Sequence, residues 1–162
     1  MINIVQAKPS DAFLIHTLAH AIWYPTYQDV LAKDQIDFML TKMYSEEAIQ
    51  SAMSDHSLFY IMQEDSSPIG FIAVKEKQEV LRIDKLYLLP NTQGKGLGSQ
   101  LLEFAGQLAL DKGINILELN VNRYNKAYHF YLKQGFEVVE TVDIPYYQYF
   151  LNDYVMQKRL IP

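Results

Sequence analysis

The 162-residue chain has no cysteine, a single tryptophan and no apolar run long enough to span a membrane. Without cysteine there are no disulfides and no covalent thiol intermediate. Without a long apolar run there is no membrane-spanning helix to expect. Basic residues are also short: 14 Lys and Arg stand against 19 Asp and Glu, a formal net charge of −5. That balance implies no basic face for nucleic acid and suits a cationic or amine-bearing partner better. The four histidines lack metal-ligand spacing, so no zinc or other metal site is expected. Residues 1–8 lack the charged start and apolar core of a signal peptide, which makes the cytoplasm the expected compartment. What is present is ordinary for a globular protein: 49% hydrophobic and 20% charged residues. One domain over residues 1–162 is expected.

The most informative stretch runs from Asp84 to Ser99. Leu86, Leu88 and Leu89 form an apolar strand signal before Pro90, and Leu97, Leu101, Leu102, Ala105 and Leu108 recur at helical spacing after it. Gly94, Gly96 and Gly98 fall where strand passes into helix. Glycine there permits positive φ and lets a ligand reach the backbone. The first-turn amides of the helix add an anion-binding end, and Lys95 adds a full positive charge. The order of residues fits neither G-x-x-x-x-G-K-[ST] nor G-x-G-x-x-G. A plain glycine-rich turn without ligand is the alternative.

Elsewhere the pattern predicts a strand over 2–7, and a helix from Pro9-Ser10-Asp11 that stops before Pro25. Helical segments follow over 36–44 and 45–53, with Ser45-Glu46-Glu47 as an internal start. Strands over 58–63 and 69–75 are joined by a turn at Glu64-Asp65-Ser66-Ser67-Pro68. A strand over 79–89 leads into the loop. The long helix stops at Lys112-Gly113, a strand covers 114–121, a helix 125–134 ends at Gly135, and strands begin at 136 and 146. The expected class is α/β (α+β): a mixed central sheet with flanking helices.

Gln93-Gly94-Lys95-Gly96-Leu97-Gly98 reads Q-x-x-G-x-G and resembles the acyl-coenzyme A loop of the GNAT superfamily of N-acetyltransferases. Asn125, Ala127, Phe130-Tyr131 and Gly135-Phe136 resemble the helix and strand that follow in that family. Asn152-Asp153-Tyr154-Val155-Met156 is similar to the last strand of bacterial PaiA-like, or polyamine, acetyltransferases. The resemblance implies the single-domain GNAT fold, acetyl-coenzyme A as cofactor and transfer of its acetyl group to a primary amine, of a small molecule such as a polyamine. Protein N-termini or lysines as acceptors, and a non-catalytic acyl-coenzyme A binder, are the alternatives.

By the same resemblance, backbone near Leu86 and Leu88 pairs with the pantetheine arm. Amides from Gln93 through Ser99 hold the pyrophosphate together with Lys95. Arg123 or Lys126 meets the remaining phosphate, and Asn125 or Asn122 contacts the cofactor. Tyr131 is the expected proton donor to the departing thiolate, with packing against Tyr124 and Tyr128 as its alternative role. Many family members carry a glutamate early on the strand before the loop; the matching position here is Arg82, which cannot act as a base. Asp84, or Glu118 on the next strand, is then the expected proton acceptor, unless they merely pair with Arg82 or Lys85. Trp23, Tyr24 and Tyr27 are expected at the acceptor amine, since aromatic faces attract ammonium groups. They, and Tyr146, Tyr147, Tyr149 and Phe150, would serve equally in a core or a homodimer contact.

Overall fold

The computed structural model describes residues 1–161. Its elements are β1 (Ile2–Gln6), α1 (Ala12–Tyr27), α2 (Lys33–Tyr44), α3 (Glu46–Ser54), β2 (Leu58–Glu64), β3 (Ser67–Lys77) and β4 (Val80–Leu88). Then come α4 (Leu97–Asp111), β5 (Ile116–Asn122), α5 (Ala127–Lys133), β6 (Glu137–Tyr146) and β7 (Tyr149–Arg159). The strands hydrogen-bond in the order β1-β2-β3-β4-β5-β7-β6, and the sheet is mixed. Two compact units divide the chain: Met1–Lys75 with Lys85–Leu101, and Glu76–Asp84 with the chain from Leu102 onward.

In the first unit β1, β2 and β3 are antiparallel neighbours. β3 is buried on both faces from Ile69 to Val74, as its unbroken apolar run requires. Ile15, Ala19 and Ile22 of α1, Ile36 and Leu40 of α2 and Ile49 of α3 are sealed beneath the helices, each at most 1% exposed. Ser45 caps α3 by accepting from the Ala48 amide at 3.1 Å, so the internal start signal is a true helix boundary. Gly70 lies where β3 meets the end of β4: a Cβ there would come within 2.4 Å of the Tyr87 carbonyl oxygen.

Two local expectations are corrected. α1 does not stop before Pro25 but runs through it to Tyr27. Proline in a helix costs about 3 kcal/mol. The last turn is nevertheless retained, because Trp23 and Tyr27 are both buried and each contributes about 2 kcal/mol. Gln28 N–H still donates to Tyr24 O at 2.9 Å, and Thr26 Oγ1 to Ile22 O at 2.7 Å. The hairpin turn is also shorter than its composition suggests. Only Asp65 and Ser66 turn, with φ of 50° and 71°, the pair of positive values of a two-residue primed turn. Ser67 and Pro68 already belong to β3, where a register shift between Met62 and Gln63 accommodates the proline.

The second unit holds the start of β4 beside β5, β7 and β6. β4 and β5 run parallel, with a ladder of three pairs from Leu81↔Leu117 to Ile83↔Leu119. β5 continues beyond it against β7 as far as Asn122↔Asp153. Strand alternation makes the faces of these strands unlike. Leu81, Ile83, Leu117, Leu119, Val121 and Met156 share one face and are buried. Arg82, Glu118, Asn120, Asp153 and Gln157 share the other. β7 starts at Tyr149, not Tyr146, which closes β6.

Candidate active site

The glycine loop is held from beneath. Pro90–Thr92 makes one 3₁₀ turn, and Thr92, 4% exposed, donates its hydroxyl to Leu89 O at 2.7 Å. Gln93 Nε2 reaches back to Leu88 O at 3.3 Å. Leu97, 5% exposed, anchors the start of α4. Between these anchors Gly94 and Gly96 have φ of +83° and +76°, and a Cβ on either would meet nothing within 4 Å. Those φ values favour glycine, and the space beside them is open. Among the described residues the backbone amides of 94–99 donate to no backbone group outside the helix's own bonds, and Gln100 N–H donates to Gly96 O at 3.2 Å. Lys95 is exposed and has no ion pair among the described residues. A row of amides without a backbone acceptor outside the helix, a helix N-terminus and a lone cation fit a pyrophosphate.

An aromatic cluster fills the interior of the same unit. Trp23 lies 4.5 Å from Tyr27, 5.5 Å from Tyr44 and 5.7 Å from Tyr87, centroid to centroid. The Tyr27 and Tyr87 hydroxyls share a hydrogen bond of 2.8 Å. The Trp23 indole N–H is buried with no hydrogen-bond partner among the described residues. The Lys85 ammonium stands 5.1 Å above the Tyr44 ring, so this cluster holds a cation on an aromatic face. Trp23 and Tyr27 are therefore together, while Tyr24 is not with them. Its hydroxyl donates to Asp37 of α2, which also pairs with Lys33 at 2.9 Å. That bond raises the Tyr24 phenol above its ordinary pKa and lowers the Asp37 carboxyl. Sequence reasoning missed Tyr44, Tyr87 and Lys85, because each reads there as an ordinary member of a helix or strand pattern.

In the second unit the polar face is a network centred on Arg82. Its guanidinium donates to Glu118 Oε2 at 2.8 Å and Asn120 Oδ1 at 2.6 Å, and pairs through Nε with Asp84 Oδ1 at 3.2 Å. Gln157 Nε2 donates to the other oxygen of Glu118 at 2.8 Å. Both expected proton acceptors, Asp84 and Glu118, are thus ion-paired to the same arginine. Asn120 Nδ2 donates to Asp153 Oδ2 at 3.3 Å. Burial raises the Asp153 carboxyl pKa, against the opposing effects of Asn120, Arg123 and Arg82. The polar alternation Glu118-Asn120-Asn122 along β5 is the sequence signal for this face.

Arg123 is committed to structure: it donates to Val142 O at 2.9 Å and Asp153 O at 3.2 Å, and pairs with Asp143. Lys126, by contrast, has no ion pair among the described residues. Asn122 and Asn125 each use Oδ1 to accept a backbone amide two residues on, from Tyr124 at 2.9 Å and Ala127 at 3.0 Å. Tyr131, 8% exposed, is fixed on α5 by edge contacts with Phe130 at 5.3 Å and Phe136 at 5.7 Å. The stripe with Tyr124 and Tyr128 is not a core stripe: Tyr124 precedes α5 and is 71% exposed, and Tyr128 lies against Tyr154. At the β6–β7 turn, Tyr147 and Phe150 are exposed.

A profile described as an acetyltransferase (GNAT) domain matches residues 26–158. The chain belongs to the GNAT family of acetyltransferases. Among proteins similar to this GNAT acetyltransferase is a spermidine N(1)-acetyltransferase of Thermoplasma acidophilum. It is 30% identical over 98% of the chain and 97% of that protein. A peptidyl-lysine N-acetyltransferase, YjaB of Salmonella typhimurium, is 32% identical over 57% of the chain and 59% of its own length. The fold resembles that of the PaiA N-acetyltransferase from Thermoplasma acidophilum, crystallised with coenzyme A, with a TM-score of 0.86 and 29% identity over 98% and 99% of the two chains. The expected mixed α/β GNAT fold is thereby established, and so is the enzyme class.

Proposed function

We propose that this acetyltransferase moves an acetyl group from acetyl-coenzyme A to a primary amine of a small polycation of the spermidine class, by direct attack in a ternary complex. The observation that carries the reading is the loop at residues 94–99, whose amides have no backbone acceptor outside the helix among the described residues, with its two positive-φ glycines and Lys95. Acetyl-coenzyme A supplies the acetyl group as a thioester. Gln93, Gly94, Lys95, Gly96, Leu97, Gly98 and Ser99 hold its pyrophosphate, and the backbone of Leu86 and Leu88 pairs with the pantetheine arm as an added strand. Lys126 is better suited than Arg123 to meet a further phosphate, since Arg123 is spent on Asp143 and two carbonyls.

The Asn125 amide group, its oxygen already used, is left with N–H donors to offer the cofactor. Tyr131 Oη gives a proton to the sulfur as charge develops there. A phenol with pKa near 10 is still protonated at neutral pH and can do so. On the acceptor side, Trp23 and Tyr27 receive the amine. The Lys85 ammonium over Tyr44 supports this, because it occupies in the free protein the kind of position a substrate ammonium would take. Tyr24 contributes indirectly, by tying α1 to α2 through Asp37.

The test is release of free thiol from acetyl-coenzyme A in the presence of an amine panel and a lysine peptide panel. Turnover with spermidine and related amines is expected. Turnover with peptides alone would transfer the activity to protein acceptors, and coenzyme A binding without turnover would make the protein a sensor.

A further inference from the structure

The aromatic cluster already holds an amine of the chain's own. Lys85 and Tyr87 are two residues apart on β4, so their side chains leave the same face of the strand. Tyr87 is a member of the cluster: its ring stands 5.7 Å from Trp23 and 5.9 Å from Phe71, and its hydroxyl shares a 2.8 Å bond with that of Tyr27. Lys85 joins it there and carries its ammonium to 5.1 Å from the centre of the Tyr44 ring. Tyr44 is 1% exposed and Lys85 is half-buried, so the cation lies against the ring with water partly excluded. Lys8 and Lys77, by contrast, are exposed.

Lys85 also lies on the cofactor path of the acyl-transfer reading, on which this inference rests. In that reading the glycine loop holds the pyrophosphate just past the end of β4, and the pantetheine arm pairs with Leu88 and then Leu86. The arm therefore runs from the loop toward the start of β4, and its acyl end comes level with the residues before Leu86. The β4–β5 ladder suits that path: it ends at Ile83↔Leu119 while β4 continues to Leu88, so an added strand would pair beyond Ile83. The loop, residues 85–88 and the aromatic cluster all belong to the first compact unit, so their juxtaposition is internal to it.

We propose that Lys85 is a self-acetylation site, which takes the acetyl group when acetyl-coenzyme A is bound and no amine has arrived. The Lys85 ammonium first gives one proton to solvent. As the Nζ–C bond forms and the C–S bond breaks, the nitrogen gives up a second proton and coenzyme A leaves as the thiol, having gained one. The net products are acetyl-lysine, thiol and one proton. An incoming ammonium must take the aromatic seat from Lys85, so free amine and Lys85 compete for the same acetyl group.

The experiment incubates the wild type and Lys85→Arg with a large excess of acetyl-coenzyme A, with and without spermidine. Acetylation is followed lysine by lysine by peptide mass spectrometry, and free thiol is measured in the same samples. Without amine, Lys85 should be acetylated about tenfold or more faster than Lys8 or Lys77, because it alone is held at the reacting group. Spermidine should slow the labelling of Lys85 and leave that of Lys8 and Lys77 unchanged. Lys85→Arg, which keeps a cation for the Tyr44 ring but offers no acyl acceptor, should lose the thiol release seen without amine. Lys85 labelled no faster than Lys8 and Lys77 overturns the assignment. So does a labelling rate that spermidine does not change, or one that falls as the protein is diluted, which marks transfer between copies. Turnover of spermidine in those samples leaves acetyl transfer to free amines standing. A wild type that binds coenzyme A yet acetylates neither spermidine nor Lys85 refutes the acyl-transfer reading, and this inference with it.

Discussion

Tyr131 and Tyr24 show how differently two phenols are used within one chain. Tyr131 makes edge contacts with Phe130 and Phe136, and a phenylalanine ring at this position would keep both. Tyr131→Phe should therefore fold normally and bind acetyl-coenzyme A as before, yet lose about 10²-fold in kcat, as measured by steady-state thiol release. A kcat within a few-fold of wild type would reduce the residue to packing. The Tyr24 hydroxyl matters for a different reason, through Asp37. Its hydrogen bond, aided by Lys33, holds the Asp37 carboxyl below its unfolded value. A depressed carboxylate stabilises the fold above its unfolded pKa and stops doing so as pH falls through the folded one. Tyr24→Phe should thus lower the melting temperature by about 2 °C or less at neutral pH, the pair being exposed. The difference from wild type should vanish in acid below the ordinary carboxylate range; a gap that persists there would locate the effect in packing.

At the scale of elements, the strand–loop–helix unit from β4 to α4 was legible because its determinants are local. Glycines at 94, 96 and 98 are read as allowing positive φ; Gly94 and Gly96 adopt it, whereas Gly98 lies in the first turn of α4. Gly96→Val should weaken coenzyme A binding tenfold or more by calorimetry, since valine is strained at φ +76° and its branches would stand in the open space beside the amides. The melting curve should remain cooperative, and unchanged affinity would place the ligand elsewhere. The end of α1 was not legible. Pro25 argues for a stop on local grounds, and only burial of Trp23 and Tyr27, contributed by residues far along the chain, keeps the last turn. The polar face was half legible: period-two polarity in β5 announces it, but which carboxylate meets Arg82 depends on register between strands. Asp84 and Glu118 looked available for that reason, and the pairing Arg82↔Glu118 removed the appearance.

For the whole molecule, charge is the property that bears on both substrates at once. The net charge of −5 attracts a polycationic amine and repels a coenzyme A carrying several phosphate charges. Raising salt from about 50 to about 200 mM shortens the Debye length and weakens both long-range effects. KM for spermidine should therefore rise with salt, while KM for acetyl-coenzyme A should stay level or fall. If both rise together, local contacts with Lys95 dominate over the field of the molecule. The compositional inference of an amine-bearing partner, weak by itself, gains this measurable form only alongside the loop.

Trp23 is the chain's single tryptophan, and its indole N–H is sealed in the aromatic cluster without an acceptor among the described residues. Indole fluorescence responds to the polar groups that can reorganise around that N–H, and the neighbours of this ring are the aromatic rings of Tyr27, Tyr44 and Tyr87. The protein thus carries an optical reporter at one address, with Tyr27 and Tyr87 close enough to pass excitation to it. Its emission should be blue-shifted in the free enzyme and respond to an arriving amine before any bond is made. The order in which the two substrates bind can then be followed by stopped flow in the unlabelled protein.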